Sequence, residues 1–177
     1  MSEASPKLFI SGSSADAAGA RHLASALERE GIEALSADSL DAGRRSSEGI
    51  VDLIYAADGV VFLIEAKSKP SSSTSREWES ALEASWEQPE KRLIPVVAEG
   101  AAPPAFLQSY DSCVLPADRS PDTWNRIARE IAGTLRRGVD RHTESRSREA
   151  AWGKWREGLR TLEAAVKPLA DAERGSK

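Results

Sequence analysis

The sequence predicts an α/β protein built on one parallel, doubly wound sheet, and three observations carry that expectation. Strand-like apolar runs alternate with amphipathic helical stretches five times, which calls for a parallel sheet with helices on both faces. One run, Gly59-Val60-Val61-Phe62-Leu63-Ile64, is apolar without interruption, as a strand buried on both faces requires. At 177 residues the chain suffices for one main domain with an appendage and is too short for two ordinary domains.

Lys7-Leu8-Phe9-Ile10 supplies the first strand, and the small polar run Ser11-Gly12-Ser13-Ser14-Ala15-Asp16 turns the chain into a helix. Over residues 17–30 apolar side chains recur at Ala20, Leu23, Ala24 and Leu27, one face of a helix that Gly31 ends. Ile32-Glu33-Ala34-Leu35 is the second strand, followed by a turn-rich loop from Asp38 to Arg45. Residues 50–57 form a short helix with Ile50, Val51, Leu53 and Ile54 inward, and Ala57-Asp58-Gly59 leads into the central strand. The serine run of residues 67–75 reads as flexible and puts Glu77 on the first turn of a helix, with Trp78, Ala81, Leu82, Ser85 and Trp86 on one face. Leu93-Ile94-Pro95-Val96-Val97 is the fourth strand, Phe106-Leu107 a single helical turn and Cys113-Val114-Leu115 the fifth strand. Residues 124–135 give the last helix of the domain, with Ile127, Ala128, Ile131 and Leu135 inward.

The tail differs from the domain. From Trp152 large apolar residues fall at Trp155, Leu159, Leu162, Val166 and Leu169, spaced 3, 4, 3, 4 and 3, the seam of a coiled coil until Pro168 interrupts it. Two tryptophans on such a seam must cover something, either the chain's own domain or another copy or partner. Residues 1–118 carry 10 Lys and Arg against 19 Asp and Glu, whereas residues 119–177 carry 14 against 9, so the two parts can attract one another. Acids interrupt the basic tail and no aromatic platform accompanies it, which argues against nucleic-acid binding.

Apolar residues at 40% and charged residues at 29% fit a soluble protein, and no run approaches the ~20 apolar residues of a membrane span. The start of the chain lacks a secretory signal, so the expected location is the cytoplasm. A single cysteine, Cys113, reads as a buried strand residue and argues against a disulfide or a metal cluster.

The segment from Lys67 to Leu82 holds the candidate chemistry. In an open α/β sheet ligands bind at the carboxyl ends of the strands, and Glu77 follows the carboxyl end of the central strand. The serines of residues 11–16 either cradle an anion or cap the helix. Asp38 to Arg45 is either a solvated loop or, through Arg44 and Arg45, a contact for phosphate or another subunit.

The order of these features resembles a TIR (Toll/interleukin-1 receptor) domain of the bacterial, NAD-consuming kind, over roughly residues 6–137, with residues 138–177 as a C-terminal helical extension. Phe9-Ile10-Ser11-Gly12-Ser13-Ser14 is similar to the family's opening strand and polar loop, and residues 38–43 to its BB loop. Ala57-Asp58-Gly59-Val60-Val61-Phe62 and Leu93-Ile94-Pro95-Val96 resemble two further strands, and Glu77-Trp78-Glu79-Ser80-Ala81-Leu82 keeps the phasing of the αC helix, which the family's catalytic glutamate opens. Where the family places an aromatic four residues earlier, this chain has Ser73; Trp78 is the available substitute, and Glu79 the fallback acid.

The resemblance implies a flavodoxin-like TIR fold, a five-stranded parallel sheet with helices on both faces. It further implies an NAD+ glycohydrolase that cleaves the nicotinamide-ribose bond, giving nicotinamide and linear or cyclic ADP-ribose, in bacterial anti-phage defence. Glu77 would be catalytic, and Phe9, Ser11, Ser13, Gly43, Arg44, Ser75 and Trp78 would bind NAD+, which is substrate rather than cofactor; no metal is implied. Homo-oligomers through the BB loop and the C-terminal helix, with a separate sensor protein, are the implied partners. Two other readings stay open: a non-catalytic TIR adaptor, and an enzyme similar to nucleoside 2-deoxyribosyltransferases, in which the glutamate is a nucleophile.

Overall fold

A computed structural model describes residues 5–12, 17–40, 47–65 and 72–136. Five strands, β1 (Lys7–Ser11), β2 (Glu33–Leu35), β3 (Gly59–Ile64), β4 (Arg92–Ala98) and β5 (Cys113–Leu115), form one sheet in the order β2-β1-β3-β4-β5. Every pairing is parallel. Between them run the helices α1 (Ala17–Arg29), α2 (Ser47–Ala56) and α3 (Ser72–Glu87), and α4 (Pro121–Arg136) follows β5. The flavodoxin-like TIR arrangement expected from the sequence is therefore the one observed.

Alternation along the strands assigns two cores. Leu8 and Ile10 of β1, Val61 and Leu63 of β3, and Ile94 and Val96 of β4 meet Leu23 and Leu27 of α1 and Trp124, Ile127 and Ile131 of α4. The intervening residues Phe9, Ser11, Val60 and Phe62 turn by the pleat to the other face, that of α2 and α3. All six residues of β3 are buried, which explains their uninterrupted apolar run.

Two local devices fix the boundaries. Helix α1 stops where Gly31 takes a left-handed φ of 78°. The Gly31 amide then donates to the Glu28 carbonyl and the Ile32 amide to that of Leu27, with Ile32 and Leu27 both buried in the contact that accompanies such a cap. At the amino ends of the three inner strands Asp58 accepts the Lys7 amide on its carboxylate at 2.7 Å, donates its own amide to the Lys7 carbonyl and accepts the Arg92 amide on its carbonyl, tying β1, β3 and β4 together.

Helix α3 departs from expectation in two respects. It starts at Ser72, so part of the serine run is helical and Glu77 lies in the second turn rather than the first. Its buried stripe comprises Thr74, Glu77, Trp78, Ala81, Leu82, Ala84 and Ser85, centred further round than the apolar spacing alone indicates, and Trp86 falls off its edge at 39% exposure. Cys113 is buried in β5, as expected. The segment Pro104–Ser109 divides off from the sheet's compact unit and holds the single turn Ala105–Leu107. The heptad-like seam and the extension beyond residue 136 lie outside the described residues.

Candidate functional site

The chain leaves β1 on one side of the sheet to make β2 and returns on the other to make β3, so the strand order reverses beside the carboxyl end of β1. Such a reversal opens a crevice, because the connections on its two sides diverge to opposite faces. A cleft of about 670 Å³ lies there. Its walls come from Ile10 and Gly12 at the end of β1, from one face of α1, from residues 34–38 in and after β2, and from Thr74 and Glu77 of α3. The α1 wall is Ala17, Ala20 and Ala24, whose short side chains leave the space open, with Arg21 as its one long side chain.

Glu77 is 8% exposed. It reaches from the second turn of α3 to the end of β1, where the Ser11 hydroxyl donates to its Oε2 at 2.5 Å. Ser11 is fully buried and sits in the β1–β3 ladder opposite Phe62. Burial pushes the Glu77 carboxyl above its ordinary range, and the Ser11 hydrogen bond, which favours the ionised form, opposes that in part. A carboxylate held in this way, at the edge of a cleft with a guanidinium on the adjoining wall, suits a ligand that carries both an anion and an electron-poor centre.

The remaining sequence-predicted site residues divide among several places. Phe9 is fully buried under the α2 and α3 face and does not line the cleft. Trp78 is likewise in the core, edge-on to Phe62 with ring centroids 5.9 Å apart. Ser75 is half-buried on α3 outside the cleft lining, and Glu79, the fallback acid, is exposed. Ser13, Gly43 and Arg44 lie outside the described residues. Arg21, Asp38 and Thr74 line the cleft without having been singled out from the sequence. The signal available for Arg21 was the alanine face of α1, which reads equally as a core stripe. Among the described residues no group of acidic, His and Cys side chains is placed to hold a metal ion, and no helix is long and apolar enough to cross a membrane.

A flavodoxin-like sheet with a buried glutamate beside its strand-order reversal defines the fold and the candidate site. The family model of the TIR domain matches residues 8–135. The chain belongs to the TIR domain family.

Among solved structures, the TIR domain of the Toll-related receptor TRR-2 from Hydra magnipapillata is similar at 19% identity and a TM-score of 0.54, covering 70% of this chain and 96% of that one. The TIR domains of the activated Roq1 resistosome, which recognises the pathogen effector XopQ, match at 22% identity and a TM-score of 0.49, over 83% and 81% of the two chains. A CMP N-glycosidase from Clostridium botulinum, BcmB, matches at 13% identity and a TM-score of 0.48, over 71% and 98%. No curated protein matches the sequence.

Proposed function

We propose that this TIR domain is an NAD+ glycohydrolase with Glu77 as its catalytic carboxylate. The observation that carries the reading is the position of Glu77, buried at the edge of the cleft and hydrogen-bonded by Ser11. Heterolysis of the bond between ribose C1′ and the nicotinamide nitrogen leaves the electron pair on nicotinamide, which departs neutral and needs no proton. The sugar becomes oxocarbenium-like, and a fixed carboxylate beside it stabilises the developing positive charge. Water, or a nucleophile within ADP-ribose itself, then adds to C1′ and releases a proton, giving linear or cyclic product. Among the described residues Arg21 is the cation that lines the cleft and would meet the diphosphate, and Asp38 would accept from ribose hydroxyls on the opposite wall.

The family resemblance extends the reading to a cytoplasmic effector of bacterial anti-phage defence. Its activity would depend on self-assembly, with the C-terminal extension as an added contact and a separate protein as sensor. The decisive experiment measures nicotinamide release by chromatography at high protein concentration with a crowding agent. Glu77→Gln is expected to lower turnover at least about 100-fold relative to wild type, as loss of one preorganised electrostatic group does.

One observation favours a second reading, a non-catalytic TIR adaptor. Among the described residues no aromatic side chain lines the cleft to stack on nicotinamide, since Trp78 packs on Phe62 instead. No turnover by wild type, in samples that sizing shows to be oligomeric, would select it.

A further inference from the structure

The geometry points to Ser11 as a positioning residue for Glu77 rather than a ligand of substrate phosphate. This rests on the reading of Glu77 as the catalytic carboxylate. Ser11 is fully buried, so a phosphate in the cleft cannot reach its hydroxyl, and it does not line the cleft whereas Glu77 does. The inward positions of the sheet on the α2 and α3 face are otherwise apolar, among them Phe9, Val60 and Phe62, and a lone hydroxyl there is costly unless it has a partner. That partner is Oε2 of Glu77, 66 residues further along the chain.

The contact does two things that a surface serine could not. It ties one oxygen of a flexible side chain to a strand paired on both sides, fixing the rotamer and leaving Oε1 for the cleft. It also supplies a neutral donor that favours the ionised carboxylate against its burial, without the competing charge that a lysine or arginine would bring near a cationic transition state. Among the described residues the other titratable groups facing the cleft are Arg21 from α1 and Asp38 from the turn after β2.

The test replaces the hydroxyl and reads the carboxylate directly. In protein carrying glutamate labelled with carbon-13 at the side-chain carboxyl, with the Glu77 signal assigned by its absence in Glu77→Gln, Ser11→Ala should raise the Glu77 titration midpoint by about one pH unit. In the nicotinamide-release assay the same variant should move the acid limb of the rate profile upward by about one pH unit, lowering kcat about tenfold on that limb with KM little changed. If the alanine variant does not fold, Ser11→Cys, with its much weaker donor, should move the midpoint in the same direction. An unchanged Glu77 midpoint overturns the inference, as does a raised KM at constant kcat, which marks a substrate ligand. A shifted midpoint in protein that never cleaves NAD+ upholds the contact while removing the glycohydrolase reading.

Discussion

At the scale of single residues, the cleft carboxylate carries a stability cost that can be read with pH. The folded-state pKa of Glu77 is raised by burial above the ordinary 4.5, so below that value the side chain is protonated in both states and no penalty exists. As pH rises past 4.5 the unfolded chain ionises first, and the folded protein loses stability until its own carboxyl has ionised too. Glu77→Gln should therefore be more stable than wild type at pH 7, with the gap closing as pH falls toward 4; urea melts at both values check this. Glu79→Gln, on the exposed side of the same helix, should stay within about 0.5 kcal/mol at either pH. The phasing of the αC segment singled out Glu77 in the sequence, because helix register is a local property. The Ser11–Glu77 contact and the place of Arg21 in the cleft wall were not legible, since they depend on which side chains a fold brings to the end of β1 from 66 residues away or from the opposite face.

At the scale of elements, two contacts hold the sheet and its helices in register. Gly59 opens β3 where a Cβ would stand 2.8 Å from the Arg92 carbonyl and 2.9 Å from a Leu8 methyl, closer than packed atoms allow. Backbone of the neighbouring strand cannot yield as a flexible side chain does, so Gly59→Ala is expected to destabilise by about 1–3 kcal/mol, visible as a lowered Tm. Lys91, just before β4, is 4% exposed, and its ammonium donates to the carbonyls of Ile54 and Tyr55 and to that of Ala57, closing the carboxyl end of α2. Burial lowers its pKa, so the cap is made at a desolvation cost. Lys91→Met keeps the stem and leaves these carbonyls unpaired, which should cost about 2 kcal/mol in a denaturant titration at pH 7. Strand limits were legible to within a residue or so because β-branched and apolar runs announce a buried sheet. The start of α3 was not, because Ser72, Ser73, Thr74 and Ser75 read as a loop although the same residue types are favoured at a helix start. The capping role of Lys91 was equally hidden, since the carbonyls it meets lie in the last turn of a helix and just beyond it, 34 to 37 residues earlier.

For the whole molecule, the order β2-β1-β3-β4-β5 is one of the doubly wound orders that alternating elements and right-handed crossovers allow, and the cleft follows from that order. A site built by topology joins β1, α1, the turn after β2 and α3, so a ligand bound there must couple to global unfolding rather than to one loop. NAD+ titrated onto Glu77→Gln, where it is not consumed, should raise Tm. At about 100 times its Kd a ligand adds about 2.7 kcal/mol. For a chain of this size each kcal/mol shifts Tm by roughly 2–4 °C, so a rise of about 5–10 °C is expected in a differential scanning measurement. Adding Arg21→Ala should remove most of that rise while leaving the unliganded Tm within a few degrees, because Arg21 is exposed and contributes its charge to the cleft rather than to the core. A rise that survives Arg21→Ala would place the diphosphate elsewhere on the cleft rim. No rise in either variant would mean that the cleft does not take NAD+, and the adaptor reading would then account for the domain.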